Sequence, residues 1–154
     1  MSDLAAVVQE AERLKNRDET ALLTLIGLRE RAIEIDPTLK DKVDLEPKYD
    51  SQTMGAIDEI KALGVRVLRR WNKELYGLVC SSTGDDKRER QAILDSLNLG
   101  EAGVIAAVAG ALIALGVPAP VAAALAPLIT KKFIWPAKDE LCGAWGEGIK
   151  AQGS

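Results

Sequence analysis

The chain has 154 residues, enough for one domain that buries a core without covalent staples. Its net charge is only −3, so bulk electrostatics give no reason to expect a nucleic-acid or membrane-surface binder. Histidine is absent, which removes the usual general base near neutral pH and the commonest metal ligand.

The acids and bases are unevenly placed: 19 of the 23 Asp/Glu and 16 of the 20 Lys/Arg lie in the first hundred residues. A charged N-terminal part therefore precedes an apolar C-terminal part. Cys80 and Cys142 form neither a CxxC pair nor a disulfide framework. The opening MSDLAAVVQEAERLK carries acids early and has no apolar core of a signal peptide. Both thiols are accordingly expected to be free in a reducing cytoplasm, a redox pair being the lesser alternative.

Taken in order, Ser2 is a candidate N-cap. Leu4, Val7, Val8, Ala11 and Leu14 then recur at helical spacing, and the same phase continues through Leu22, Leu25, Leu28, Ala32 and Ile35. Either one helix covers about 3–35, or two meet near Asn16–Asp18 with Asp18 as second N-cap. Asp36-Pro37 ends the segment, because a residue before proline is pushed out of the helical region. Residues 36–52 read as a connector with at most one helical turn.

A long amphipathic helix is expected over about 51–79. Met54, Ile57, Ile60, Val67, Trp71, Leu75 and Leu78 share one side, with Gly64 in their row. Gly64 costs about 1 kcal/mol relative to alanine in a helix interior, so it marks either a close helix crossing or a bend. After a turn at 80–84, Thr83 and Asp86 resemble a capping box for a short helix over about 85–97. Ile93, Leu94 and Leu97 are its expected buried side. Asn98 and Glu101 repeat the capping pattern before the next helix.

Residues 102–130, AGVIAAVAGALIALGVPAPVAAALAPLIT, carry no charge. Gly116, Pro118 and Pro120 divide them into two legs, about 103–115 and 121–133, because the prolines forbid a continuous helix and Gly116 suits a C-cap. A leg of about 13 residues spans about 20 Å at 1.5 Å per residue. A bilayer hydrocarbon core is about 30 Å thick, so neither leg makes a simple transmembrane helix. The legs are also rich in alanine, which favours close helix packing over strong lipid partition. Lys131 and Lys132 place cations at the end of the second leg, where the helix dipole favours them. With Phe133, Trp135 and Lys138 they make a basic–aromatic cluster that suits either a headgroup interface or a capped core. A last helix is expected over 136–145, followed by a fraying glycine-rich tail.

No segment alternates with period two, so the expected fold is all-α. It is a compact bundle of six to seven helices around a central hydrophobic hairpin at 102–133. One domain covers 1–154, with charged amphipathic helices over 1–97, the hairpin over 98–133, and a short helix and tail over 134–154. In pattern, residues 98–132 resemble the hydrophobic helical hairpin at the centre of colicin-type pore-forming domains. That resemblance implies amphipathic helices that hide two apolar helices in water and release them at a membrane. It carries no matched motif and no functional residues.

No catalytic, cofactor or metal motif occurs. The paired carboxylates Asp58-Glu59, Asp85-Asp86 and Asp139-Glu140 do not converge, because neighbours on a helix point apart. The candidate working surface is the hairpin itself: Val104, Ile105, Val108, Leu112, Ile113 and Leu115 on the first leg, Val121, Leu125, Leu128 and Ile129 on the second. Arg66, Arg69, Arg70, Lys73, Lys131 and Lys132 are candidate contacts to an anionic surface, although pairing with neighbouring acids explains such a basic run as well. The sequence thus points to a non-enzymatic, bacterial-type helical protein without cofactor or metal, located in the cytoplasm with conditional membrane association. Residues 102–135 would meet membrane lipid or a protein partner, as a pore-type effector or as an oligomer, and nucleic acid is not expected. The alternative is a helical adaptor or oligomerisation module whose hairpin stays buried.

Overall fold

The structure, a computed structural model, describes residues 4–47, 56–80 and 87–151. Among them the chain is all-α, with seven α-helices and no strand. They are α1 (Leu4–Leu14), α2 (Glu19–Ile35), α3 (Ile57–Cys80), α4 (Lys87–Ser96), α5 (Glu101–Ala114), α6 (Ala119–Ile129) and α7 (Leu141–Ala151). Ser2, Met54 and the Thr83–Asp86 pattern lie outside the described residues.

The first apolar segment is two helices. The Asp18 side chain accepts a 2.7 Å hydrogen bond from the Ala21 N–H and so starts α2, while Arg17 N–H closes the end of α1 on Leu14 O. Asp36 ends α2 and its carboxylate then caps a 3₁₀ turn at Pro37–Asp41. Eight consecutive residues of α2, Leu22–Arg29, are buried, because α3 covers one side of the helix and α6 another.

Gly64 marks a close crossing. A Cβ built on it would lie 2.0 Å from Leu23 O, and one built on Gly27 would lie 2.0 Å from Ile60 O. The two glycines are thus reciprocal: each lets its helix rest on a backbone carbonyl of the other. The expected stripe of α3 faces inward, with Ile60, Gly64, Val67, Leu75 and Leu78 buried, while Lys61, Arg66, Arg69, Arg70 and Lys73 are exposed.

Several boundaries and roles depart from the expectations. The N-cap of α5 is Gly100, at φ 90° with no side-chain cap bond. Asn98 stands two residues before that cap, in the 3₁₀-type turns that close α4, and is not the N-cap of α5. On α4, Ile93 is buried but Leu94 lies at the surface, and Ser96 is buried instead, donating to Ile93 O. The last helix starts at Leu141 rather than 136 and runs on through the glycine-rich segment to Ala151. Trp145 holds it there: the ring is fully buried, its Nε1–H donates to Asn72 Oδ1 at 2.8 Å, and it meets Tyr76 edge-on.

The cysteines are not free. Cys80 and Cys142 are joined by a disulfide with Cα atoms 5.7 Å apart, although 62 positions separate them in sequence. Asn72, Tyr76 and Cys80 stand at successive turns of α3. They engage α7 by a hydrogen bond to Trp145, a hydrogen bond to Cys142 O and the covalent bridge. Spacing along the chain gives no sign of this, because the helix crossing creates the proximity.

Candidate functional site: the core hairpin and the basic groove beside it

The hairpin turn depends on three residues. Gly116 adopts φ 97° after Leu115, and Val117 N–H reaches back to Leu112 O at 3.0 Å, which is the Schellman closure of α5. Pro118 then occupies the N-cap of α6, and Pro120 sits in the first turn, where its missing N–H costs nothing. A third proline, Pro127, lies inside α6 and deprives the Ala123 carbonyl of its usual partner. A π turn at Thr130–Ile134 comes next, with Trp135 N–H bonded to Thr130 O.

The two legs differ in burial. Every residue of α6 is buried, including Val121, Leu125, Leu128 and Ile129, because α1, α2 and α5 surround it. On α5 only one side is enclosed: Val104, Ile105, Val108 and Leu112 are buried, Ile113 and Leu115 half-buried, and Ala102 and Ala114 exposed. Among the described residues no helix is long and apolar enough to cross a membrane.

Sequence reasoning missed a buried charge cluster that pins the hairpin. Arg29 is wholly buried and donates to three oxygens from three parts of the chain: Leu45 O at 2.8 Å, Pro120 O at 2.9 Å and Glu10 Oε2 at 2.5 Å. Arg13 adds a bidentate pair to Glu10 at 2.6 and 2.8 Å. Burial alone would raise the Glu10 pKa, but the hydrogen bonds and charges of Arg13 and Arg29 outweigh it and leave the carboxyl below its ordinary value. A signal existed in the sequence: Arg29 falls in the row of Leu22 and Ile26, one turn further on.

Among the described residues the exposed basic residues of α3 form no ion pair with an acid. Lys61, Arg66, Arg69 and Lys73 make no salt bridge with a described residue, while Arg70 stacks on Trp71, 4.5 Å from the ring centre. The expected basic–aromatic cluster is kept only in part, with the Lys132 ammonium 5.9 Å from the centre of the Phe133 ring. Phe133 turns into the core against α7, and Trp135 is half-buried under Lys138, 4.3 Å from its ring. Lys131 is half-buried, and Lys132 pairs with Glu19.

Two of the six candidate anion contacts do converge. Arg69 from α3 and Lys132 from the π turn flank a groove of about 430 Å³, with Glu19 at the rim and Leu23, Val65, Leu68 and Phe133 among its apolar lining. Gly148 and Ala151 of α7 form the remaining wall. The π turn is the element that sends Lys132 to the rim while Phe133 packs inward. Arg66, Arg70 and Lys73 lie on α3 outside this groove. No protein-family model, curated protein or solved structure matches the chain.

Proposed function

We propose that the chain is a non-enzymatic helical adaptor in which residues 102–130 serve as a permanent core and the outer surface meets a protein partner. The observation that carries this reading is the complete burial of Ala119–Ile129. Exposing Val121, Leu125, Leu128 and Ile129 to water would cost about 1.5–3 kcal/mol each, or roughly 6–12 kcal/mol together. A whole domain is usually stable by only about 5–15 kcal/mol, so releasing α6 amounts to unfolding. Release would also leave the buried Arg29 one acceptor short, since Pro120 O takes one of its three hydrogen bonds. Inserted into lipid, α6 would reach only about 16 Å at 1.5 Å per residue.

The adaptor reading expects a protein that purifies without detergent, melts in one sharp transition and scatters light as a particle of fixed size. A need for detergent, or a size that changes with detergent, would refute it.

One observation favours a second reading, a membrane-active effector. The outer side of α5 is uncharged, with Ala102 and Ala114 exposed and Gly110 and Ile113 half-buried. That surface could meet lipid or a second copy of the chain without α6 moving. Flotation with anionic liposomes tests it, comparing the native chain with Ala102→Asp and Ala114→Asp. Membrane activity is excluded if the native chain stays wholly in the aqueous fraction.

A further inference from the structure

We infer that the groove between α2, α3, the π turn and α7 is a binding site for a free anionic amphiphile, a medium-length acyl chain ending in a carboxylate or phosphate. The proposal goes beyond the adaptor reading and does not depend on what partner meets the outer surface.

Three observations combine. The volume, about 430 Å³, falls among small-ligand sites, which run from about 300 to 1,000 Å³. Its lining is divided in the way an amphiphile is divided: the half-buried Val65 and the outer edges of the buried Leu23, Leu68 and Phe133 make an apolar floor, and Arg69 and Lys132 stand where a head group would lie. The two cations are not equivalent. Arg69 is exposed and has no ion partner among the described residues, so its planar fork is available to a carboxylate or phosphate. Lys132 already pairs with Glu19, and that carboxylate occupies the place an incoming anion would take. The structure therefore reads as a site with an internal stand-in for the ligand's head.

Charge selects the head and shape selects the source. An acidic rim would repel an anion, but beyond the rim α3 carries Arg66 and Lys73, also without ion partners among the described residues. A free amphiphile can lay its chain into a concavity, whereas an acyl chain held in a bilayer cannot leave it without crossing water. The ligand is thus a monomer in solution and not a membrane surface.

The test is calorimetric titration of the full-length protein with decanoate below its micelle concentration. Saturable one-to-one binding is expected. Octanoate, shorter by two methylenes, should bind about fifteenfold more weakly, since each buried methylene is worth about a fourfold change. Arg69→Ala should weaken decanoate about tenfold through loss of a charged hydrogen-bond donor. Glu19→Gln should tighten it by about two- to fivefold, the range of a rim ion pair removed from competition. Val65→Trp, which fills the groove and leaves both cations, should abolish binding. Circular dichroism melts of each variant separate a lost site from a lost fold. The proposal is overturned if decanol binds as well as decanoate, if Glu19→Gln weakens binding, or if Val65→Trp folds and binds normally. It is overturned equally if inorganic phosphate competes as strongly as decanoate, or if only phosphatidylglycerol vesicles bind.

Discussion

The crossing of α2 and α3 yields the most discriminating stability experiment, because one substitution has opposite signs at two positions of one helix. By intrinsic propensity alone, Gly→Ala inside a helix stabilises by about 1 kcal/mol. At Gly64 the new methyl would stand 2.0 Å from Leu23 O and 2.9 Å from Leu23 C, more than an ångström short of an ordinary contact. Both atoms are backbone, so no rotamer change relieves the clash and the helices must separate. Separation loosens the facing contact of Gly27 on Ile60 O as well. Overpacking usually costs about 1–3 kcal/mol, and a backbone clash of this depth belongs at the upper end. After subtraction of the propensity gain, Gly64→Ala should destabilise by about 2 kcal/mol. For a chain of this size that is a fall in Tm of about 4–8 °C. Gly77, on the exposed side of the same helix, has nothing within 4 Å of a built Cβ. Gly77→Ala should therefore raise Tm by about 2–4 °C. Scanning calorimetry of both variants under non-reducing conditions decides the matter, and a Gly64→Ala protein that melts at or above the native temperature would refute the crossing.

Three further outcomes are expected from the core. Glu10→Gln leaves Arg29 charged and buried without its carboxylate and should cost about 3–5 kcal/mol in denaturant titration at neutral pH. Because the Glu10 pKa is lowered in the folded state, its contribution is complete above its unfolded value of 4.5 and is lost as pH falls through the folded value. The gap between native and Glu10→Gln should close only in acid, and a gap that persists unchanged there contradicts the cluster. Thr130→Val removes a buried hydroxyl that has no hydrogen-bond partner among the described residues and should stabilise by about 1–2 kcal/mol, read as a rise in Tm. Reducing Cys80–Cys142 with dithiothreitol, two protein thiols forming as the reagent closes to its own disulfide, frees a link across 62 positions and should cost about 3–4 kcal/mol. Amide exchange should then rise first in 141–151, and uniform protection of α7 after reduction would contradict its dependence on the bridge.

How much of the fold was legible in the chain depended on whether the cause was local. Helix type, the break at Asp18, the stop at Asp36-Pro37 and the Gly116–Pro120 turn are decided within a few residues, and all arise from capping and proline chemistry. Asn98 misled because the same chemistry fits two places: it stands in the closing turns at the end of α4, two residues before the cap of α5. Leu94 misled because the side that α4 turns to α3 and α5 runs through Ile93 and Ser96, which leaves Leu94 at the surface. The glycine-rich tail was expected to fray on propensity, which tertiary contacts override. Gly146 and Gly148 sit where a built Cβ would come within 2.9 Å of the Tyr76 hydroxyl and 3.0 Å of Phe133, so the glycines let α7 dock. The disulfide, the Arg29 cluster and the groove join positions 62, 91 and more than a hundred residues apart, distances at which spacing along the chain carries no information.

The alanine content of the hairpin bears on both readings of function at once. Five alanines in α6 keep the helix thin enough for α1, α2 and α5 to close round it, and it is the helix with every residue buried. The same alanines make it a weak lipid partner, since alanine gains little on leaving water for hydrocarbon. Pro120 and Pro127 point the same way. Inside the bundle Arg29 donates to the Pro120 carbonyl, a bond lost on release, and Pro127 leaves the Ala123 carbonyl short of its helical partner, which no water could replace in lipid. This composition, with every residue of α6 buried, supports the proposed reading of the hairpin as a core around which the other helices are wound.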